Sequence, residues 1–204
     1  MHAAVVERWV AGWARSRSMP LEADGSGWHV TVGAETRLDE YVVAEPSGVE
    51  ALRLARAVAP RSTSWLTIVG GIAPDALSAL GSLDRMARPG TVMEARLAPV
   101  PMPADVVVDA VDGVAFLRIE VDGVRAARGQ VALVGRDAVF DCIETEEPYR
   151  RRGLGGQIVA GLTAWAVSQG ADTGLLVASD EGRALYRTVG WRDVAPVVTY
   201  RGFA

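Results

Sequence analysis

The chain has 204 residues, half hydrophobic and 23% charged, which suits one large domain or two small packed ones and excludes wholesale disorder. Its formal net charge is -4, so a protein whose main task is coating nucleic acid is disfavoured even though all 21 basic residues are arginine. A single cysteine, Cys142, and two histidines, His2 and His29, exclude a disulfide framework and a cysteine-rich zinc site, and no metal is expected.

The opening residues carry Val5, Val6, Trp9, Val10 and Trp13 at near-helical spacing, which predicts a short docking helix. Glu7, Arg8, Arg15 and Arg17 interrupt that stretch, which lacks the apolar run of an export signal. No segment approaches the ~18 apolar residues that cross a bilayer, so the expectation is a cytoplasmic protein without a membrane partner. Two strands follow, about 28–32 and 37–43, then a helix in "GVEALRLARAV" with Val49, Leu52, Ala55 and Leu54 or Val58 on its apolar side. "SWLTIVGG" reads as a buried strand, "PDALSALGSLDRMA" as a helix with Pro74 near its start, and "TVMEARL" as a strand.

Residues 98–105, "APVPMPAD", hold three prolines and form the best linker candidate, dividing the chain into 1–98 and 105–204. Beyond it three strand-like runs, "GVAFLRIEVDG", "VRAARGQVALVG" and "DAVFDCIETEE", are separated by Asp122-Gly123 and Gly135-Arg136-Asp137 turns. A helix with Leu154, Ile158, Leu162 and Trp165 on one face comes next, then the strand "GLLVAS", a short helix in "DEGRALYRTVG" and a final strand in "WRDVAPVVTYR". The two halves share one order of elements at an offset of roughly 100 residues. Either the first is a degenerate copy of the second, with only "EPSGVEAL" where the second has its glycine-arginine turn, or α/β elements alternate by chance.

The stretch "EEPYRRRGLGGQIVAGLTAWA" concentrates three arginines and three glycines where a strand gives way to a helix. Without Cβ atoms, Gly153, Gly155 and Gly156 let backbone amides approach a ligand closely, and the helix start adds partial positive charge. Together with Arg150, Arg151 and Arg152 this predicts an anion site suited to a pyrophosphate. A P-loop is ruled out because it needs a lysine, which the chain lacks. The dinucleotide fingerprint fails as well, since Ile158 stands where its third glycine belongs.

Arg-x-x-Gly-x-Gly, formed by Arg150, Gly153 and Gly155 between a strand and an amphipathic helix, resembles the pyrophosphate loop of the GNAT superfamily of N-acetyltransferases. One strand later, "SDEGRALYRTVGW" resembles that family's Asn-x-x-Ala-x-x-Leu-Tyr segment before Gly-Phe, with Ser179, Gly182, Leu185, Tyr186, Gly190 and Trp191 in register. The likeness covers residues ~115 to 201 and not the first hundred residues. It implies an α/β (α+β) fold: a mixed, mostly antiparallel twisted sheet flanked by helices, with splayed parallel central strands.

The resemblance further implies acetyl-coenzyme A as co-substrate, its pantetheine arm beside Ile143, Glu144 and Thr145 and its pyrophosphate on the loop from Arg150 through Leu154 to Gly156. Ser179, Gly182, Leu185 and Tyr186 complete the implied cofactor site. Tyr186 is the expected acid for the leaving thiolate and Glu144 the preferred base among Asp141, Glu144, Glu146 and Glu147. The implied reaction is acetyl transfer to a primary amine, on a small molecule, a peptide or a protein, with a homodimer admitted. A non-catalytic acyl-coenzyme A sensor is the alternative, and an arginine-mediated nucleic-acid binder the weakest reading. Trp9, Trp13, Trp28 and Trp65 are read first as packing and second as an acceptor wall, and Cys142 as a buried strand residue.

Overall fold

The computed structural model describes residues 2–87 and 89–203. In chain order the elements are α1 (Ala3–Ser16), β1 (Leu21–Asp24), β2 (Gly27–Ala34), β3 (Arg37–Ala44), α2 (Gly48–Val58), β4 (Ser64–Val69), α3 (Pro74–Ala79), β5 (Asp84–Arg85) and β6 (Gly90–Arg96). The second half adds β7 (Val106–Val111), β8 (Val114–Val121), β9 (Val124–Val134), β10 (Asp137–Thr145), α4 (Leu154–Ser168), β11 (Thr173–Ser179), α5 (Asp180–Thr188) and β12 (Arg192–Arg201).

All strands belong to one sheet, ordered β1-β2-β3-β4-β12-β6-β11-β10-β9-β8-β7, with β5 on the side of β12. Pairing is antiparallel except at β3–β4 and β10–β11, where a helix provides the crossover that a parallel connection requires. The last strand of each half crosses over: β6 pairs with β11, and β12 lies between β4 and β6. Neither half therefore closes its sheet with its own strands.

Alternation along the strands sends side chains to two faces. On β10, Ala138 and Phe140 join the core under α4, whereas Val139 joins the core under α1. On β11, Leu176 and Ala178 face α4, and Leu175 and Val177 face α1. A third cluster lies under α2 and α3, built from Leu54, Val58, Leu66, Ile68 and Leu80. Helix α1 is the predicted docking helix, with Val6, Trp9, Val10 and Trp13 buried and the two indoles stacked at 5.7 Å.

Gly12 lets α1 approach the sheet. A Cβ there would stand 2.1 Å from Val139 Cγ2 and 2.4 Å from Val139 Cβ, a collision that no rotamer change removes. Gly12→Ala should cost a net ~1–2 kcal/mol, overpacking exceeding the gain in helix propensity. A lowered denaturant midpoint at unchanged slope is the expected result.

Several readings of the sequence need correction. In α2 the buried side is Ala51, Leu54, Ala55 and Val58, while Val49 is 83% and Leu52 41% exposed. The helix expected over residues 74–87 ends at Ala79, gives way to a 3-10 turn at Leu80–Ser82 and then to β5. Strands β1 and β7 had no counterpart in the sequence reading. Cys142 is half-buried, not buried, and adopts a φ of +51° on a bulge of β10.

Candidate active site

Strands β10 and β11 begin side by side and then part. Asp137–Val139 pair with Thr173–Leu175, and beyond them no register joins the two strands among the described residues. The cause lies on the other edge of β10, where the ladder to β9 slips between Asp141 and Glu144. A bulge of this kind bends its strand and raises the local twist. The result is a fork whose β10 edge offers backbone groups unclaimed by β11.

The chain leaves β10 through a 3-10 turn at Glu147–Tyr149 and enters α4 through Gly153, whose φ of +79° a side chain would strain. No side chain caps α4. Gln157 N–H is the first to bond back, to the Gly153 carbonyl at 3.1 Å. The amides of Leu154, Gly155 and Gly156 precede it and have no intrahelical acceptor by geometry. A Cβ on Gly153 or Gly156 would meet nothing within 4 Å, so the ground before the helix is open.

A cavity of about 620 Å³ occupies this ground, lined by the fork strand, the loop, the start of α4 and one side of α5. It gathers Ile143, Glu144, Thr145, Arg150, Arg151, Gly153, Leu154, Gly155, Gly156, Ser179, Gly182, Leu185 and Tyr186. Those residues lie up to 43 positions apart in the chain, and all of them are sequence-predicted site residues. Arg152 is the exception: its guanidinium lies over the Tyr149 ring at 5.3 Å, outside the cavity lining. Glu181, in the first turn of α5, lines the cavity and was missed, because acids at a helix start, here Asp180 and Glu181, read as ordinary dipole compensation.

Local bonds set the individual side chains. Arg150 Nε donates to the Thr145 carbonyl at 3.2 Å and ties the loop to β10. Ser179 Oγ accepts from Gly182 N–H at 3.2 Å and caps α5. Glu144 accepts from Arg128 Nη2 at 2.8 Å and Nε at 3.0 Å, and remains half-exposed. Tyr186 is 7% exposed, packed beside Trp191, which in turn meets Phe140 edge-on. Burial, with a smaller push from Asp141, raises the Tyr186 phenol to about 12. The hydroxyl thus keeps its proton throughout neutral pH.

The corresponding place in the first half is closed. Strands β3 and β4 stay paired from Asp39–Ala44 against Ser64–Val69, leaving no fork. At the start of α2, Glu50 N–H donates to Ser47 Oγ at 3.3 Å and Gly48 N–H to Asp75 Oδ2 at 3.0 Å. Side chains there take the amides that α4 leaves free.

No family model and no curated protein matches this sequence. Solved structures do match its fold. A GCN5-related N-acetyltransferase from Kribbella flavida aligns over 100% of this chain and 96% of its own, with a TM-score of 0.70 at 20% identity. A GNAT-family structure from Novosphingobium aromaticivorans aligns over 98% and 96%, with a TM-score of 0.67 at 16% identity. A GCN5-related N-acetyltransferase-like protein from Streptococcus suis aligns over 98% of both chains, with a TM-score of 0.60 at 10% identity. The likeness runs through both halves, so it is not confined to the C-terminal half where the sequence motifs lie. From end to end, this chain has the fold of the GNAT N-acetyltransferases.

Proposed function

We propose that the protein is an N-acetyltransferase that moves the acetyl group of acetyl-coenzyme A to a primary amine. The observation that carries this reading is the uncapped, glycine-floored start of α4 opening onto the β10–β11 fork. Free amides at a helix start suit a pyrophosphate, and Arg150 and Arg151 add charge at the rim. The fork suits an extended pantetheine arm, which can pair with the unclaimed β10 edge as an added strand. We read residues 105–204 as the acyl-coenzyme A half. Residues 1–98 we read as a degenerate copy on the acceptor side, a view supported by the matching β2-β3-β4 and β9-β10-β11 orders and the exchanged last strands.

In the reaction the amine nitrogen attacks the thioester carbonyl carbon, a C–N bond forms and the C–S bond breaks. The ammonium gives up two protons overall, one ending on the coenzyme A sulfur and one in solvent. An amide of the β10 edge near Ile143 or Thr145 is the proposed donor to the oxyanion. Glu144 is the proposed proton acceptor from the ammonium, and its half-exposed position gives that proton a route to water. Glu144→Gln should remove the acidic limb of the pH–rate profile, and an unaltered profile would dismiss Glu144 as the base.

Tyr186 is proposed to act on the leaving sulfur. With the phenol at about 12 and a thiol near 8.5, full proton transfer to the thiolate would run uphill by roughly 5 kcal/mol. Tyr186 therefore donates a hydrogen bond to the departing thiolate and does not surrender its proton, which revises the acid role expected from the sequence.

The sensor reading has two observations in its favour: Ser179 spends its hydroxyl on capping α5, and Glu144 is tied to Arg128. Calorimetry with coenzyme A and thiol release from acetyl-coenzyme A over a broad amine panel decide between the two. Binding with amine-dependent release supports the enzyme, binding without release supports the sensor, and no binding ends both.

A further inference from the structure

A second cavity, about 240 Å³, lies on the opposite face of the sheet under α1. Its lining joins the two halves, with Trp9 and Trp13 from α1, Glu40 from β3, Asp141 from β10, Val177 from β11 and Thr199 from β12. Asp141 and Val177 stand just past the last paired residues of β10 and β11, so the cavity abuts the fork from the face away from α4. The two cavities are also close enough for the Asp141 charge to act on Tyr186.

The floor holds an unusual charge pair. Glu40 is fully buried on the sheet, and its carboxylate meets Arg37 in an ion pair. Arg37 is itself held between two indoles, 5.1 Å from the Trp13 centroid and 4.8 Å from that of Trp65. Glu40 Oε2 is taken by Arg37 Nη2, which leaves Glu40 Oε1 and Arg37 Nε without a hydrogen-bond partner among the described residues. The neighbouring acid differs: Asp141 accepts from Arg17 Nε at 2.6 Å and Nη2 at 2.9 Å, and from Ser16 and Gln130. Thr67 and Thr199 satisfy each other at 3.0 Å. Within this lining, unmet capacity is thus confined to one carboxylate oxygen, Glu40 Oε1, and one guanidinium nitrogen, Arg37 Nε.

Buried polar groups left without partners are costly, so such a pair suits a ligand that supplies the complementary groups. Charge balance narrows the ligand. Arg17 with Asp141 and Arg37 with Glu40 are neutral as pairs. A simple ammonium would leave a net positive charge in a buried site, whereas a ligand bearing both signs would leave none. The volume admits something of amino-acid size, and the stacked indoles of Trp9 and Trp13 offer an aromatic wall for its side chain.

We propose that this cavity receives the acceptor as a zwitterionic primary amine of amino-acid size, its ammonium on Glu40 and its carboxylate on Arg37, its nitrogen facing the fork. The proposal rests on the acyl-transfer reading above and names the substrate class for it. Glu40 and Arg37 come from the first half, which gives that half a task in a reaction whose cofactor loop lies wholly in the second.

The test uses the full chain and calorimetry with the common amino acids, each beside its decarboxylated amine and its deaminated acid, with acetyl-coenzyme A titrated separately. The expected result is that at least one amino acid binds, and both of its truncated forms bind at least about tenfold more weakly. Glu40→Gln should weaken that amino acid at least about tenfold and leave acetyl-coenzyme A affinity unchanged. Retained acetyl-coenzyme A binding shows that the variant is folded, and Trp13→Phe offers a milder second perturbation that should also weaken the amino acid. If acetyl-coenzyme A binds and no amino acid does, or if the decarboxylated amine binds equally well, the proposal is overturned and the acyl-transfer reading survives. An amino acid that binds through Glu40 to a chain indifferent to acetyl-coenzyme A upholds the cavity and overturns the acyl-transfer reading.

Discussion

Gly155→Asp should abolish coenzyme A binding while leaving the fold at least as stable as before. Gly155 sits in the first turn of α4, which carries no acidic residue. A Cβ there would make only ordinary contacts, 3.4 Å to Thr145 Oγ1 and 3.5 Å to Leu185 Cδ2. An aspartate at that place favours the helix by roughly 0.3–1 kcal/mol through the dipole. The same carboxylate would stand among the amides proposed to hold a diphosphate, where like-charge placement costs several kcal/mol and affinity should fall by at least ~100-fold. Thermal unfolding and calorimetry on one preparation check both halves of this expectation. Arg152→Ala is the matched control, because that guanidinium stacks on Tyr149 outside the cavity and should change affinity little. A Gly155→Asp chain that binds coenzyme A normally would remove the loop from the site.

Tyr186→Phe should lower kcat by about 10²-fold with coenzyme A affinity nearly intact, the usual scale for removing one donor aimed at developing charge. The ring keeps its place, since it is packed beside Trp191 independently of the hydroxyl. The raised phenol also fixes where pH matters. In the unfolded chain the phenol titrates near 10, and in the folded protein near 12, so the folded state holds the proton more tightly. Stability from this group is complete below pH 10 and is lost as pH climbs toward 12. If the proposed acetyl transfer uses Tyr186, its rate should therefore show no alkaline decline from that group below about pH 11. A decline near pH 9 that disappears in Tyr186→Phe would contradict the buried position.

The sequence was most legible where one local rule acts alone. Glycines at 153, 155 and 156 ahead of an apolar helix dictate an open amide cradle whatever packs around it, and the structure has that cradle. Trp9 and Trp13 at helical spacing dictate one buried face of α1. Legibility failed where two rules compete. Val49 and Leu52 look like core on a helical wheel, yet both are exposed, and Ala51 takes the buried place beside Leu54, Ala55 and Val58. The helix expected beyond Ala79 stopped because the chain must turn to lay β5 along β12, a partner more than a hundred residues away.

The sequence by itself determined the glycine loop, the helix it starts and most of the order of elements, though not β1, β5 or β7, because each depends on backbone freedom and on side-chain spacing within a few residues. Tertiary structure alone decided the fork, the exchange of β6 and β12 between halves and the meeting of Glu40 and Arg37 with Asp141. Those features depend on pairings between distant strands, and strand register is set by what each face must bury, which no local pattern encodes.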